Sequence, residues 1–157
     1  MKKILEVCLS PDLGGLELHM KDLTKFLKVK GVINKKSKLK AIFQKENLPY
    51  FEIGRYSFLK LAKIIDDEKI DVVHLQWTKD IPTTVLAKLI SKQNPKIVQT
   101  RNMHMTRFKD DFYHKFLYKN IDTMIAVTAM VKNQLEKFIP QTVRPKIKMC
   151  YIGANTP

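Results

Sequence analysis

Three short stretches of this sequence hold residue types that can grip an anion or a polyol. Gly14-Gly15 stands between an apolar run at residues 3–9 and an amphipathic stretch. A glycine pair at a strand-to-helix turn lets backbone amides and the helix dipole approach an anion closely. The pair lacks the full spacing of a dinucleotide or P-loop fingerprint. Two readings therefore stand, a plain tight turn or contact with a phosphate or sugar. Gln76 and Trp77 follow a second apolar run, and the indole can either stack on a sugar ring or close the core. Arg101, Asn102, His104 and Arg107 crowd the stretch after Thr100, where they can hold an anionic or polyhydroxylated ligand. A surface-loop histidine is the plainer reading of His104.

The remaining candidates carry less chemistry. His74 falls near the end of a buried run and reads as a structural histidine more readily than a catalytic one. His19 and His114 lie within helical patterns, as packing or surface residues. No pair has H-E-x-x-H spacing and the two cysteines are far apart, so no metal is expected. No nucleophile elbow occurs. Asp66-Asp67-Glu68 reads as the solvated end of a helix.

Charge restricts the partners. The 157 residues contain 29 Lys and Arg against 15 Asp and Glu, a net charge of +14. Such a surface suits nucleic acid, anionic membrane or phosphorylated ligands. Nine lysines between residues 21 and 48 face only Asp22 and Glu46. Lys21, Lys25, Lys28, Lys35, Lys36, Lys38 and Lys40 are read either as a solvated face or as a surface turned toward anionic membrane. Nucleic acid is not an expected partner, because no helix-turn-helix, zinc or RNP motif accompanies the charge. Cys8 and Cys150 sit in apolar runs and read as buried free thiols of a reducing compartment. No stretch approaches the ~18 apolar residues of a spanning helix. The expected location is cytoplasmic, peripheral on the inner face of the membrane if the basic stripe binds lipid.

These residues must be held by regular elements, and the pattern supplies them. Residues 3–9 predict a buried strand ended by Ser10-Pro11-Asp12. Leu16, Met20, Leu23 and Leu27 then form one apolar stripe, with Glu17, Lys21, Lys25 and Lys28 opposite. Glu17 lies four before Lys21, the favourable order for a pair, and Gly31 reads as the helix stop. The second strand looks shortened between Gly31 and Ser37. A helix over 37–47 and a strand over 50–53 follow. Ser57 caps a helix with Phe58, Leu61, Ala62 and Ile65 inward. A β-branched strand over 70–75 precedes a helix from Asp80, with Pro82 in its first turn and Val85, Leu86 and Leu89 inside. A strand over 96–100, a helix over 110–119 with Phe112, Phe116 and Leu117 inward, and a strand over 123–127 come next. A helix capped by Thr128 and a strand over 147–152 complete the series. Such alternation predicts an α/β fold, a doubly wound, mostly parallel Rossmann-like sheet with helices on both faces. Residues 1–152 are read as one domain and 153–157 as the start of an interdomain linker.

Several segments, taken in order, resemble family-4 glycosyltransferases of the GT-B fold. Ser10-Pro11-Asp12-Leu13-Gly14-Gly15-Leu16-Glu17 is similar to that family's first glycine-rich turn. Asp71-Val72-Val73-His74 resembles its "DVVH" strand, and Ile97-Val98-Gln99-Thr100-Arg101-Asn102 its "vvxTxH" strand and loop. Ile121 to Thr128 resembles "aDxiiavS", and Ile152-Gly153-Ala154-Asn155 keeps the glycine of "NGvD". Asn102 stands where the family writes histidine, with His104 two residues later.

The resemblance implies the N-terminal, acceptor-binding domain of an enzyme that transfers a sugar from a nucleotide-sugar, with retention and without a bound metal ion. The acceptor would be a glycan or a lipid-linked saccharide. No cofactor beyond the nucleotide-sugar co-substrate is implied. Gly14 and Gly15 would lie near the donor phosphates. Gln76, Trp77, Arg101, Asn102 and His104 would face the acceptor, with His104 and Asn102 the candidates for a catalytic role. The donor-binding domain would have to be supplied in cis or in trans. The alternative is a non-enzymatic Rossmann-like module that binds a phosphorylated ligand.

Overall fold

The computed structural model describes residues 1–151. Contacts divide the chain into two compact units, one of residues 1–97 and one from Val98 onward.

The first unit contains β1 (Ile4–Cys8), α1 (Gly15–Leu27), β2 (Lys30–Asn34), α2 (Leu39–Lys45), β3 (Tyr50–Ile53), α3 (Phe58–Asp67), β4 (Val72–Leu75) and α4 (Ile81–Ile90), with a 3-10 turn at Thr78–Asp80. Its strands run parallel in the order β3-β2-β1-β4. Alternation along each strand sorts the side chains to two faces. Leu5, Val7 and Leu9 join Val32, Ile53, Leu61, Ile65, Val73 and Ala87 in one core beneath α3 and α4. Cys8 and Ile33 meet Met20, Leu39 and Phe43 in a second core beneath α1 and α2. Helices thus cover both faces, the expected doubly wound arrangement.

Several expectations are corrected here. The second strand is not truncated: β2 has five residues and pairs with both β1 and β3. Gly31 lies inside it and stops no helix. A Cβ at Gly31 would stand 2.8 Å from Phe43 Cε1 and 3.0 Å from Met20 Cε, so the missing side chain lets α1 and α2 pack on the sheet. The helix ends instead at Lys28, which takes a left-handed conformation at φ 55°. Asn47 and Lys69 adopt the same conformation just past α2 and α3. The buried face of α1 holds Glu17, Met20 and Thr24, whereas Leu27 is exposed. Glu17 therefore does not pair with Lys21, whose partners are Asp22 and Glu46. On α4, Val85 and Ala87 are buried but Leu86 and Leu89 face outward.

Strand β5 (Lys96–Arg101) begins with the last two residues of the first unit, where Lys96 N–H donates to Asp71 C=O, and the second unit holds the rest of it. The second unit continues with α5 (Phe112–Lys119), β6 (Thr123–Ala126), α6 (Ala129–Phe138) and β7 (Lys146–Met149). Strands β5, β6 and β7 pair in parallel. Asp111 caps α5 by accepting from the His114 amide, and Thr128 Oγ1 caps α6 by accepting from Val131 N–H at 3.2 Å. Leu117 and Tyr118 carry the buried side of α5. Phe112, expected inward, is 89% exposed, and Cys150, expected buried, is exposed. The last strand ends at Met149, and the glycine segment at 152–155 lies outside the described residues.

Candidate functional site

In the first unit the loops after β1, β3 and β4 leave the carboxyl end of the parallel sheet, where open α/β folds bind ligands. Gly14 and Gly15 form the turn into α1. Glu17 reaches back so that its Oε2 accepts the Gly14 amide at 2.8 Å. This self-capping places a carboxylate at the positive end of the helix. Gly14 thus spends its N–H internally, which leaves the next amides of the turn to meet an anion. A Cβ at Gly15 would meet nothing within 4 Å, so that position faces open space.

Leu9, just before the turn, is clamped through its backbone. Its N–H donates to Asp80 Oδ2 at 3.0 Å, and its carbonyl accepts from Asn34 Nδ2 at 2.9 Å. Asp80 is fully buried, and burial pushes its carboxyl up to about 7, opposed by the Leu9 amide and the nearby Arg55 charge. Among the described residues, Asp80 Oδ1, Thr84 Oγ1 and Arg55 Nε are buried without a hydrogen-bond partner. The Arg55 guanidinium stands 5.2 Å from the ring centres of both Tyr56 and Trp77, and Lys79 Nζ lies 5.6 Å from Trp77. Trp77 also packs against both cores. Its core-closing role is thus visible, with Arg55 and Lys79 beside the ring. Gln76 is buried beside it.

Beneath this surface lies a buried hydrogen-bonded pair. Glu6 and His74 are register partners on β1 and β4, and His74 Nδ1 donates to both Glu6 oxygens, at 2.9 and 2.8 Å. Such a satisfied pair is the structural histidine that the sequence suggested. His19 on α1 is pushed below its ordinary range by burial and by the His74 charge. Burial drives the Cys8 thiol far up, with Asp80, Glu17 and Glu6 adding to it, so it is an inert core thiol.

The lysine stripe is partly neutralised. Lys21 and Lys25 share Glu46, and Lys40 pairs with Glu52. Its outward charge is carried by Lys28, Lys35, Lys36 and Lys38, all exposed. No described helix is long and apolar enough to cross a membrane, and no three described His, Cys, Asp or Glu residues cluster to hold a metal ion.

In the second unit Arg101 ends β5, and Asn102 and His104 follow it in the loop. Arg101 turns inward: its Nε donates to the Met103 carbonyl at 3.0 Å and a terminal nitrogen to the His104 carbonyl at 3.1 Å. It shapes the loop, and burial lowers its pKa. His104 is exposed and Asn102 half-buried. The loop is tied to α6 where Met105 N–H donates to Gln134 Oε1 and Lys109 N–H to the Phe138 carbonyl. Burial and the neighbouring Arg101 and Arg107 charges lower the Lys109 pKa.

The structure therefore gathers Gly14, Gly15, Gln76 and Trp77 at one sheet end of the first unit. It gathers Arg101, Asn102 and His104 at the end of β5 and in the loop after it in the second. The sequence reading missed Asp80, Arg55 and Glu17. Only Glu17 left a signal, a glutamate three residues after the turn glycine as in a capping box.

Comparison with known proteins bears on this geometry. None of the curated proteins matches the chain in sequence. Among solved structures, HepE of Anabaena in complex with UDP and glucose is 14% identical with a TM-score of 0.72, over 98% of this chain and 45% of that one. A glycosyltransferase of Rickettsia africae is 22% identical with a TM-score of 0.72, over 98% and 44%. MurG of Acinetobacter baumannii is 11% identical with a TM-score of 0.68, over 100% and 50%. The likeness is one of fold, to the Rossmann-like N-terminal half of GT-B glycosyltransferases, and this chain spans half or less of each structure's length. The family model described as glycosyl transferase 4-like matches residues 6–128, from within β1 to the Thr128 cap of α6. With the glycine turn, the His74 strand and the Arg101 loop all inside that stretch, the chain belongs to the glycosyl transferase 4-like family.

Proposed function

We propose that this chain forms the acceptor-side half of a GT-B glycosyltransferase that moves a sugar from a nucleotide-sugar to a glycan or lipid-linked acceptor. The observation that carries this reading is the family match over residues 6–128, a stretch that includes the open Gly15 turn after β1. Two matched structures of one relative hold UDP or UDP-glucose, so a uridine diphosphate sugar is the donor class to try first. Transfer with retention and without a bound metal ion is the chemistry that the family resemblance implies. Departure of the nucleotide builds negative charge on its diphosphate, which preorganised donors must meet in a water-poor cleft. The Gly15 amide and the start of α1 supply one edge of such a cleft. The carboxylate of Glu17 at that same helix end keeps their pull on an anion weak. The rest of the diphosphate contact falls to a donor-binding domain.

Titrating the chain with UDP, followed through the backbone amides, tests this assignment. Weak, saturable shifts should centre on Gly15 and Leu16 and tighten when a donor-binding domain is supplied. Shifts confined to the lysine stripe of α1 and α2 would instead support a module that binds phosphorylated ligands by charge alone.

A further inference from the structure

The clamp on Leu9 gives Asp80 a part in this site that no motif announces. Asp80 stands at the end of the 3-10 turn after β4, in the place where a helix-capping aspartate is expected, yet it makes no cap bond. Its carboxylate reaches across to β1 and accepts the last amide before the Ser10–Gly15 turn. With Asn34 holding the carbonyl of the same residue, Leu9 is fixed on both sides. The chain beyond it is anchored at Pro11, whose carbonyl accepts the Lys38 amide, and at Gly14 through Glu17. Of these four contacts on the glycine turn, only the Asp80 bond comes from the β4–α4 connection.

We propose that Asp80 is a positioning residue for the glycine turn, setting through the Leu9 amide where Gly15 meets an anionic ligand. The proposal rests on the reading that this turn faces the donor. A carboxylate accepts an amide hydrogen more strongly than its protonated form does. Burial brings the Asp80 proton equilibrium to about 7, so both forms are populated at neutral pH. The groups that face Asp80 are the Cys8 thiol at the end of β1, the Leu9 amide just after it, and Arg55 after β3. Arg55 favours the ionised form and burial opposes it. Because the folded-state pKa lies above the ordinary carboxylate range, folding takes up protons between that range and neutrality. The contribution to stability is full below the unfolded pKa and is lost as pH rises through about 7.

The backbone amide spectrum of the ligand-free chain, recorded from about pH 5 to about pH 9, reads this directly. The Leu9 and Gly15 amides should shift together with one midpoint near 7. Arg55→Gln should move that midpoint upward, and Asp80→Asn, which keeps an oxygen for the Leu9 amide, should erase it. Asp80→Asn should also raise the melting temperature more at high pH than at low pH. A midpoint at Leu9 with Gly15 unmoved overturns the proposal, as does a shared midpoint that Arg55→Gln leaves in place. If Asp80→Asn does not fold, the parent chain and Arg55→Gln still decide. A second arm adds UDP as probe: Gly15 should respond more strongly at high pH in the parent chain and equally at all pH in Asp80→Asn. Failure of UDP to move Gly15 at any pH counts against the donor assignment, whereas the ligand-free titration judges the Asp80 coupling by itself.

Discussion

Valine at position 15 should lower sugar transfer by an assembled two-domain enzyme about a hundredfold or more, the scale on which one backbone donor to a developing anion is felt. The melting temperature of the chain should stay where it is. The two halves of this expectation come from different observations. A Cβ at Gly15 has no neighbour within 4 Å, and the residue has no left-handed backbone that would strain a side chain. It occupies the first position of α1, exposed to solvent. Surface substitutions of that kind usually change stability by less than about 0.5 kcal/mol. The loss must then come from what the valine excludes, a phosphate or sugar that approaches the bare backbone. Parallel kinetic and thermal-melting measurements on Gly15→Val check both halves. Undiminished transfer would return the glycine pair to a plain turn.

Glu6→Ala should cost about 1–3 kcal/mol of folding stability, the usual consequence of leaving a buried hydrogen-bond donor without its acceptor. Glu6 is 1% exposed and its two oxygens both receive His74 Nδ1–H. Truncation would leave that N–H in the sheet centre without its acceptor and open a void beneath α1. Glu6→Gln keeps an acceptor oxygen of the same size and should lose distinctly less. The measurement is the urea midpoint at constant slope, which separates a change in stability from a change in the unfolded chain. Equal midpoints for Glu6→Ala and the parent would mean that the pair contributes nothing net.

The legible parts of this molecule are those fixed by local pattern. Ile70 to Leu75 reads as a strand because β-branched residues crowd it, and Thr128 reads as a cap because its hydroxyl bonds an amide three residues on. The alternation of such elements suffices for a doubly wound sheet. The errors fall where a distant residue decides. Gly31 looks like a helix stop until Phe43 and Met20 are seen filling the space a Cβ would need. Glu17 looks solvated until the glycine turn folds back over it. Leu27 and Phe112 follow apolar spacing, but the sheet offers no cover at those helix positions, and Thr24 and Tyr118 are buried instead. The site follows the same rule. The loops that hold Gly15 and Trp77 in the first unit and His104 in the second can be named from strand ends alone. The bond between Leu9 and Asp80 spans 71 residues and obeys no periodicity. Nor does spacing announce that Arg101 turns inward, its donors drawn to the Met103 and His104 carbonyls.

Sugar transfer itself provides the decisive measurement. The purified chain is incubated with a panel of radiolabelled nucleotide-sugars and a membrane extract as acceptor, alone and with a donor-binding domain joined covalently or added in trans. One Rossmann-like wall cannot close a water-poor cleft around a departing diphosphate. Label should therefore enter the acceptor only when the second domain is present. Robust transfer by the chain alone would contradict the half-cleft account and require an active site contained wholly within these residues.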